Sequence, residues 1–334
     1  MTSTMMQSVA DTARELVGAR RGILAADESI GTMSSRLEKA GVEPSEDNRR
    51  AYREMLVTTP DLSDGVSGVI LCDETLRQRL ADGRTFPRAL LDMGILPGIK
   101  VDTGARPLAG WPGETVTEGL DGLDARLAEY ADLGARFAKW RAVITIGEAT
   151  PSLWAVHANT HALARYARAC QAAGIVPIVE PEVMMDGTHS LSQCAAVTEL
   201  TLTTLTRALT DAGVDPTAMV LKPNMVVPGA GAEQQSTPGE VARVTVDTLR
   251  ATMAAELAGV AFLSGGQSPE TATANLAAMQ LIDTPWPLTF SFGRALVSPA
   301  LDLWRGAPDR AEAAQATLSK LVTGNSAVLR KGRS

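Results

Sequence analysis

Three lysines interrupt apolar, strand-like runs in this chain: Lys100 in ILPGIKVD, Lys139 in ARFAKWRAVI and Lys222 in AMVLKPNMVV. They are half of only six lysines among 31 basic residues, so arginine serves the surface while amines are placed in half-buried strands. Lysine ordinarily keeps its ammonium in water. An amine in a dry pocket beside other cations gives up its proton more readily and becomes a nucleophile for carbonyl carbon. The pattern points to Schiff-base catalysis. Carboxylates that could move protons accompany the amines: Asp27 ends GILAAD, and Glu180 and Glu182 end GIVPIVEPE.

These residues need elements to bring them together. Eight short, β-branched runs recur along the chain: 22–29, 67–74, 96–102, 136–144, 174–182, 218–225, 259–266 and 287–293. Between most of them lie stretches with apolar residues at helical spacing, such as LDARLAEYADLGARF and GEVARVTVDTLRATMAAEL. No G-x-G-x-x-G turn follows the first run, so the pattern predicts a single closed (β/α)8 barrel of the TIM type over residues 1–334 rather than a doubly wound sheet. Extra helices are expected at the N-terminus, in the insertion at about 30–66, and near 309–324, followed by a short tail, 326–334, without a terminal tyrosine.

In such a barrel chemistry gathers where strands end. Residues two apart on a strand face the same way, so Lys139 with Arg141, and Glu180 with Glu182, are expected to share the lumen. Ser264, Gly265 and Gly266 at the end of the seventh run, and Ser291, Gly293 and Arg294 at the end of the eighth, form the expected phosphate end: glycine N–H groups, a helix N-terminus and a bidentate guanidinium. Lys100 and Arg36 are placed to hold a second anion across the mouth, with Ser29, Thr32 and Ser35 alongside. Two anion sites flanking amines and carboxylates suit carbon–carbon cleavage of a ketose bisphosphate.

Composition narrows the alternatives. A net charge of -7 offers no basic face for nucleic acid, and the longest apolar stretches are too short to span a bilayer. Cys72, Cys170 and Cys194 have no ligand-like spacing, which predicts a reduced, cytoplasmic protein. His157 and His161 imitate a zinc pair, but Ala158 stands where H-E-x-x-H needs glutamate, so neither a metal nor a cofactor is expected. The Gly229-Ala230-Gly231 stretch reads as a mobile loop.

Taken in order, GILAADES, GIKVD, FAKWR, IVPIVEPE, LKPNM, FLSGGQS and TFSFGRAL closely resemble the class I fructose-bisphosphate aldolase family, from about residue 20 to about residue 325. The resemblance implies that Lys222 forms the Schiff base, that Glu180 is the acid/base for carbinolamine formation and dehydration, and that Asp27 takes the C4 hydroxyl proton. Lys139 would hold charge beside the Schiff base, supported by Glu182 and Arg141. Ser264, Gly265, Gly293 and Arg294 would contact the C1 phosphate of fructose 1,6-bisphosphate or dihydroxyacetone phosphate, and Arg36 and Lys100 the other end. A metal-independent homotetramer is implied. A transaldolase-like lyase would keep the Schiff base and change the substrate; the two phosphate sites favour the bisphosphate. The sequence departs from the family at Ser35, where animal enzymes have lysine, and at the C-terminus: no tyrosine follows Tyr166.

Overall fold

The computed structural model describes residues 3–331, with side chains for residues 8–329. Its strands are β1 (Gly22–Ala26), β2 (Val66–Leu71), β3 (Leu96–Lys100), β4 (Gly104–Pro107), β5 (Thr115–Glu118), β6 (Phe137–Ile144), β7 (Val176–Val183), β8 (Val220–Leu221), β9 (Gly259–Phe262) and β10 (Leu288–Phe292). The helices are α1 (Ser3–Gly18), α2 (Ile30–Lys39), α3 (Glu46–Val57), α4 (Asp73–Arg77), α5 (Phe86–Asp92), α6 (Leu123–Asp132), α7 (Leu153–Ala172), α8 (Leu191–Asp211), α9 (Pro238–Thr252), α10 (Pro269–Met279), α11 (Arg294–Trp304) and α12 (Ala311–Lys331). Eight strands close a parallel barrel in the order β1-β10-β9-β8-β7-β6-β3-β2, as the sequence pattern predicts.

Buried on both faces, these strands read as continuous apolar runs, yet their two faces have different tasks. On β6, Trp140 points outward, tilted against Tyr166 of α7, while Phe137 joins the apolar interior. Along the inner face each strand turns from apolar to polar towards its C-terminal end: Phe137, Lys139, Arg141 on β6; Ile178, Glu180, Glu182 on β7; Ile23, Ala25, Asp27 on and beyond β1. The lower lumen is filled by Phe137, for which Gly98 makes room (a Cβ there would lie 2.2 Å from the ring), and by α1, whose Leu16 and Val17 press against Gly68 and Gly259.

Three features depart from the sequence reading. An antiparallel hairpin of β4 and β5 interrupts the connection after β3; its polar, mostly exposed strands gave no apolar period. The segment read as a tail from 326 is helical as far as Lys331, with Ser326 donating to the Arg20 carbonyl and Leu329 buried; residues 332–334 lie outside the described part. The Gly229–Gly231 loop, read as mobile, is pinned: Gly229, Ala230 and Gly231 donate their N–H groups to His189, Met185 and Gly187 carbonyls at 2.8, 2.7 and 2.9 Å.

Candidate active site

Where the inner faces turn polar, a cavity of about 760 Å³ opens at the C-terminal mouth of the barrel. It is lined by Asp27, Glu28, Ser29, Thr32 and Arg36 from β1 and α2, Lys100 and Asp102 from β3, Lys139 and Arg141 from β6, Glu180 and Glu182 from β7, and Lys222 just past β8. Ser264, Gly265, Gly266, Ser291, Gly293 and Arg294 complete the wall. Ser35 alone of the expected site residues is not in this lining; it is exposed on α2, whose Thr32 and Arg36 face the cavity one turn apart. Ser29 has a second task as N-cap of α2, accepting from the Thr32 N–H.

The two central amines differ in surroundings. Lys139 Nζ lies 2.7 Å from Asp27 Oδ2, 3.4 Å from Glu180 Oε2 and 4.0 Å from Asp102 Oδ2. Burial alone would lower its pKa, but the charges of Asp27, Glu180 and Asp102 outweigh that and raise it above the ordinary lysine range, so Lys139 is a fixed cation. Burial pushes the Asp27 carboxyl up, and the opposing pull of Lys139, Lys222 and Lys100 overcomes it and holds the group at about 2. Lys222 meets one carboxylate oxygen, Glu180 Oε1 at 3.2 Å. Glu180 thus bridges the two amines with its two oxygens. Arg141 pairs with Glu182; burial would lower its pKa, but Glu182 raises it.

The two ends of the cavity are built differently. At β9 and β10, Gly265 and Gly266 both have positive φ, +56° and +92°, a pair of conformations that glycine alone adopts freely. The Arg294 guanidinium lies over Gly266, and its side chain forms no hydrogen bond or ion pair among the described residues. Ser291 Oγ, buried, also lacks a partner. Opposite, Lys100 Nζ is tied to Asp102 through Oδ1 at 2.7 Å and the carbonyl at 2.8 Å, and Arg36 to Glu28 Oε1 at 2.5 Å.

Sequence reasoning gave no role to Asp102 or Glu28. Asp102 stands two residues beyond Lys100, so strand alternation could have found it; Glu28 carried no such signal. Asp73 and Glu74 open α4 and pair with Arg77 and Arg49. His157 and His161 are exposed on α7, and among the described residues no group of three or more His, Cys, Asp or Glu could hold a metal ion. No described helix is long and apolar enough to cross a membrane.

A family model described as fructose-bisphosphate aldolase class-I matches residues 8–332. The chain belongs to the class I fructose-bisphosphate aldolases. As such an aldolase it is a lyase that cleaves fructose 1,6-bisphosphate reversibly to dihydroxyacetone phosphate and glyceraldehyde 3-phosphate. It is 55% identical over 300 residues to a probable class 1 aldolase of Xanthomonas campestris pv. campestris, covering 90% of both chains. It is 50% identical over 317 residues to the cytosolic aldolase 5 of Arabidopsis thaliana, covering 94% of this chain and 88% of that one. The aldolase of Plasmodium falciparum, in a crystal structure with TRAP and a small-molecule inhibitor, superposes with a TM-score of 0.96 at 42% identity, covering 98% of this chain and 96% of the other.

Proposed function

We propose that Lys222 is the amine that forms the Schiff base and that Glu180 carries its protons. The observation that carries this is the inequality of the amines: Lys139 is locked as a cation by three carboxylates, whereas Lys222 faces the cavity with one, and that one is shared. Lys222 attacks C2 of the ketose; Glu180, bridging both amines, protonates the departing hydroxyl of the carbinolamine. Asp27, ionised at neutral pH, accepts the C4 hydroxyl proton as the C3–C4 bond breaks and its electrons enter the iminium, leaving an enamine and glyceraldehyde 3-phosphate. The enamine is protonated at C3 and the imine hydrolysed. In this reading the proton at C3 is supplied from the mouth, by Glu180 or a water it holds.

The phosphate on C1 is read into the Ser264–Gly266, Ser291, Gly293 and Arg294 end, and the distal phosphate beside Arg36 and Lys100, with Ser29 and Thr32 nearby. We further infer that the protein works in the cytoplasm as a single-domain subunit of a homotetramer, in line with its family and with three cysteines that are all free and buried.

Borohydride reduction in the presence of dihydroxyacetone phosphate tests the core of this reading. The triose should be found on the peptide containing Lys222, with loss of activity; an adduct on Lys139 or Lys100, with Lys222 unmodified, would refute it. In the same assay Glu180→Gln should slow turnover by about 10²–10⁴-fold with a smaller effect on substrate binding.

A further inference from the structure

Arg53, on α3, belongs to the insertion between β1 and β2 and does not line the cavity, yet it is fully buried, which is rare for a guanidinium. Its Nε donates to the Ala26 carbonyl at 2.9 Å and its Nη2 to the Glu28 carbonyl at 2.8 Å. Those two carbonyls flank the Asp27–Glu28 pair. Nη2 also lies 3.4 Å from Glu28 Oε2, and Nη1 has no acceptor among the described residues.

The location explains the need. The sheet pairing of β1 with β2 ends at Ala26 opposite Leu71, so Asp27 stands one residue beyond the ladder that would fix its backbone. A planar guanidinium, with donors in a fixed fork, can hold the peptide groups on either side of the Asp27–Glu28 pair in a way that a single ammonium cannot. Lys139 secures the Asp27 carboxylate from the cavity side at 2.7 Å. Arg53 secures the backbone from behind.

We propose that Arg53 is a positioning residue that aims Asp27 at the C4 hydroxyl of the ketose bisphosphate. The proposal rests on Asp27 being the group that takes that proton. It predicts a split between half-reactions. Cleavage of fructose 1,6-bisphosphate needs Asp27 in place, whereas imine formation with dihydroxyacetone phosphate and exchange of its C3 proton with solvent involve no C4 hydroxyl.

The test uses Arg53→Lys and Arg53→Met in the full chain, with melting temperature recorded for each. Cleavage should fall roughly 10²-fold, the scale of a displacement of about 1 Å, while borohydride trapping on Lys222 and C3 exchange stay near parental rates. In an Asp27→Asn background, Arg53→Lys should cause no further loss of cleavage. Equal loss of cleavage and trapping in folded Arg53→Lys would overturn the proposal, as would parental cleavage in it while Asp27→Asn is inactive. If Asp27→Asn itself cleaves normally, the assignment of Asp27 is what fails. Should Arg53→Met not fold, Arg53→Lys carries the same comparison.

Discussion

The two ends of the cavity, proposed above as phosphate sites, hold their cations in opposite states. At the β9 and β10 end, Arg294 and Ser291 Oγ have no partner among the described residues and two consecutive glycines hold positive φ, so no described protein group competes with a ligand there. At the α2 end, Arg36 and Lys100 are each satisfied by a carboxylate of the protein itself. A phosphate arriving at the first end displaces water from exposed Arg294; one arriving at the second must displace a carboxylate of the protein. Exchanging water for phosphate carries the larger net free energy, since exchanging a carboxylate for phosphate returns only the difference between two charge-assisted bonds. On the proposed assignment, such a site should hold dihydroxyacetone phosphate more firmly than the aldehyde half of the substrate.

The comparison is most exposed at Arg294. Arg294→Ala should weaken both fructose 1,6-bisphosphate and dihydroxyacetone phosphate by roughly 10²-fold, the worth of a charged bidentate contact of about 1.5–3 kcal/mol. Competition binding of the triose phosphate and KM for the bisphosphate check it together; a loss confined to the bisphosphate would reverse the assignment of the ends.

A smaller effect is expected at Arg36. Arg36→Ala should raise KM for the bisphosphate about five-fold, because only the surplus over its Glu28 pairing is lost, and should leave the triose phosphate untouched. If both ligands weaken alike, the cavity does not have two distinct ends.

Releasing Arg36 should act in the opposite direction. Glu28→Gln removes the competing charge, and KM for fructose 1,6-bisphosphate should fall about three-fold, a change of about 0.6 kcal/mol. An unchanged or higher KM would mean that Glu28 is needed to aim Arg36 rather than restrain it.

The smallest effect concerns the support of the rigid end. Met185 lies against Gly266, and the loop that carries it continues to His189, which is 5% exposed with no partner on either ring nitrogen among the described residues. Burial lowers the His189 pKa below its ordinary 6.5, so the unfolded chain binds the proton more tightly. The stabilisation is fully present above 6.5 and is lost as pH falls from there towards the lowered value. His189→Gln should therefore flatten the melting temperature against pH over about pH 7 to 5, by of order 1 °C. An identical acid slope in the variant would remove His189 from this account.

Much of this arrangement was legible in the chain itself, for identifiable reasons. Parallel strands buried on both faces leave continuous apolar runs, so each of the eight barrel strands announced itself, and strand alternation paired Lys139 with Arg141 and Glu180 with Glu182. The catalytic side chains were visible because a charge inside an apolar run costs too much to be incidental. The hairpin of β4 and β5 was not, since exposed strands need no apolar side. Nor was the pairing of Arg36 and Lys100: a carboxylate eight residues or two residues away says nothing of which way either side chain turns. Arg53 reads in NRRAYREM as one more arginine on a helix, and only the distance to Ala26 and Glu28 gives it work. Ser35 shows the converse, a polar residue in the right segment that the turn of the helix carries outside.

Closure of the ring sets an order of events during synthesis. The strand that seals the barrel comes last, and Thr289 of β10 donates to the Arg21 carbonyl at the start of β1 across 268 residues of sequence. Contacts so distant in sequence are slow to form, and until they do the edges of β1 and β9 are open to pairing with other chains. The amines and carboxylates are translated before the glycine turns and Arg294 that complete the phosphate end. On the proposed assignment, a partly made chain carries its amines before the Arg294 end of the cavity is complete, and activity is expected only once the final strand docks.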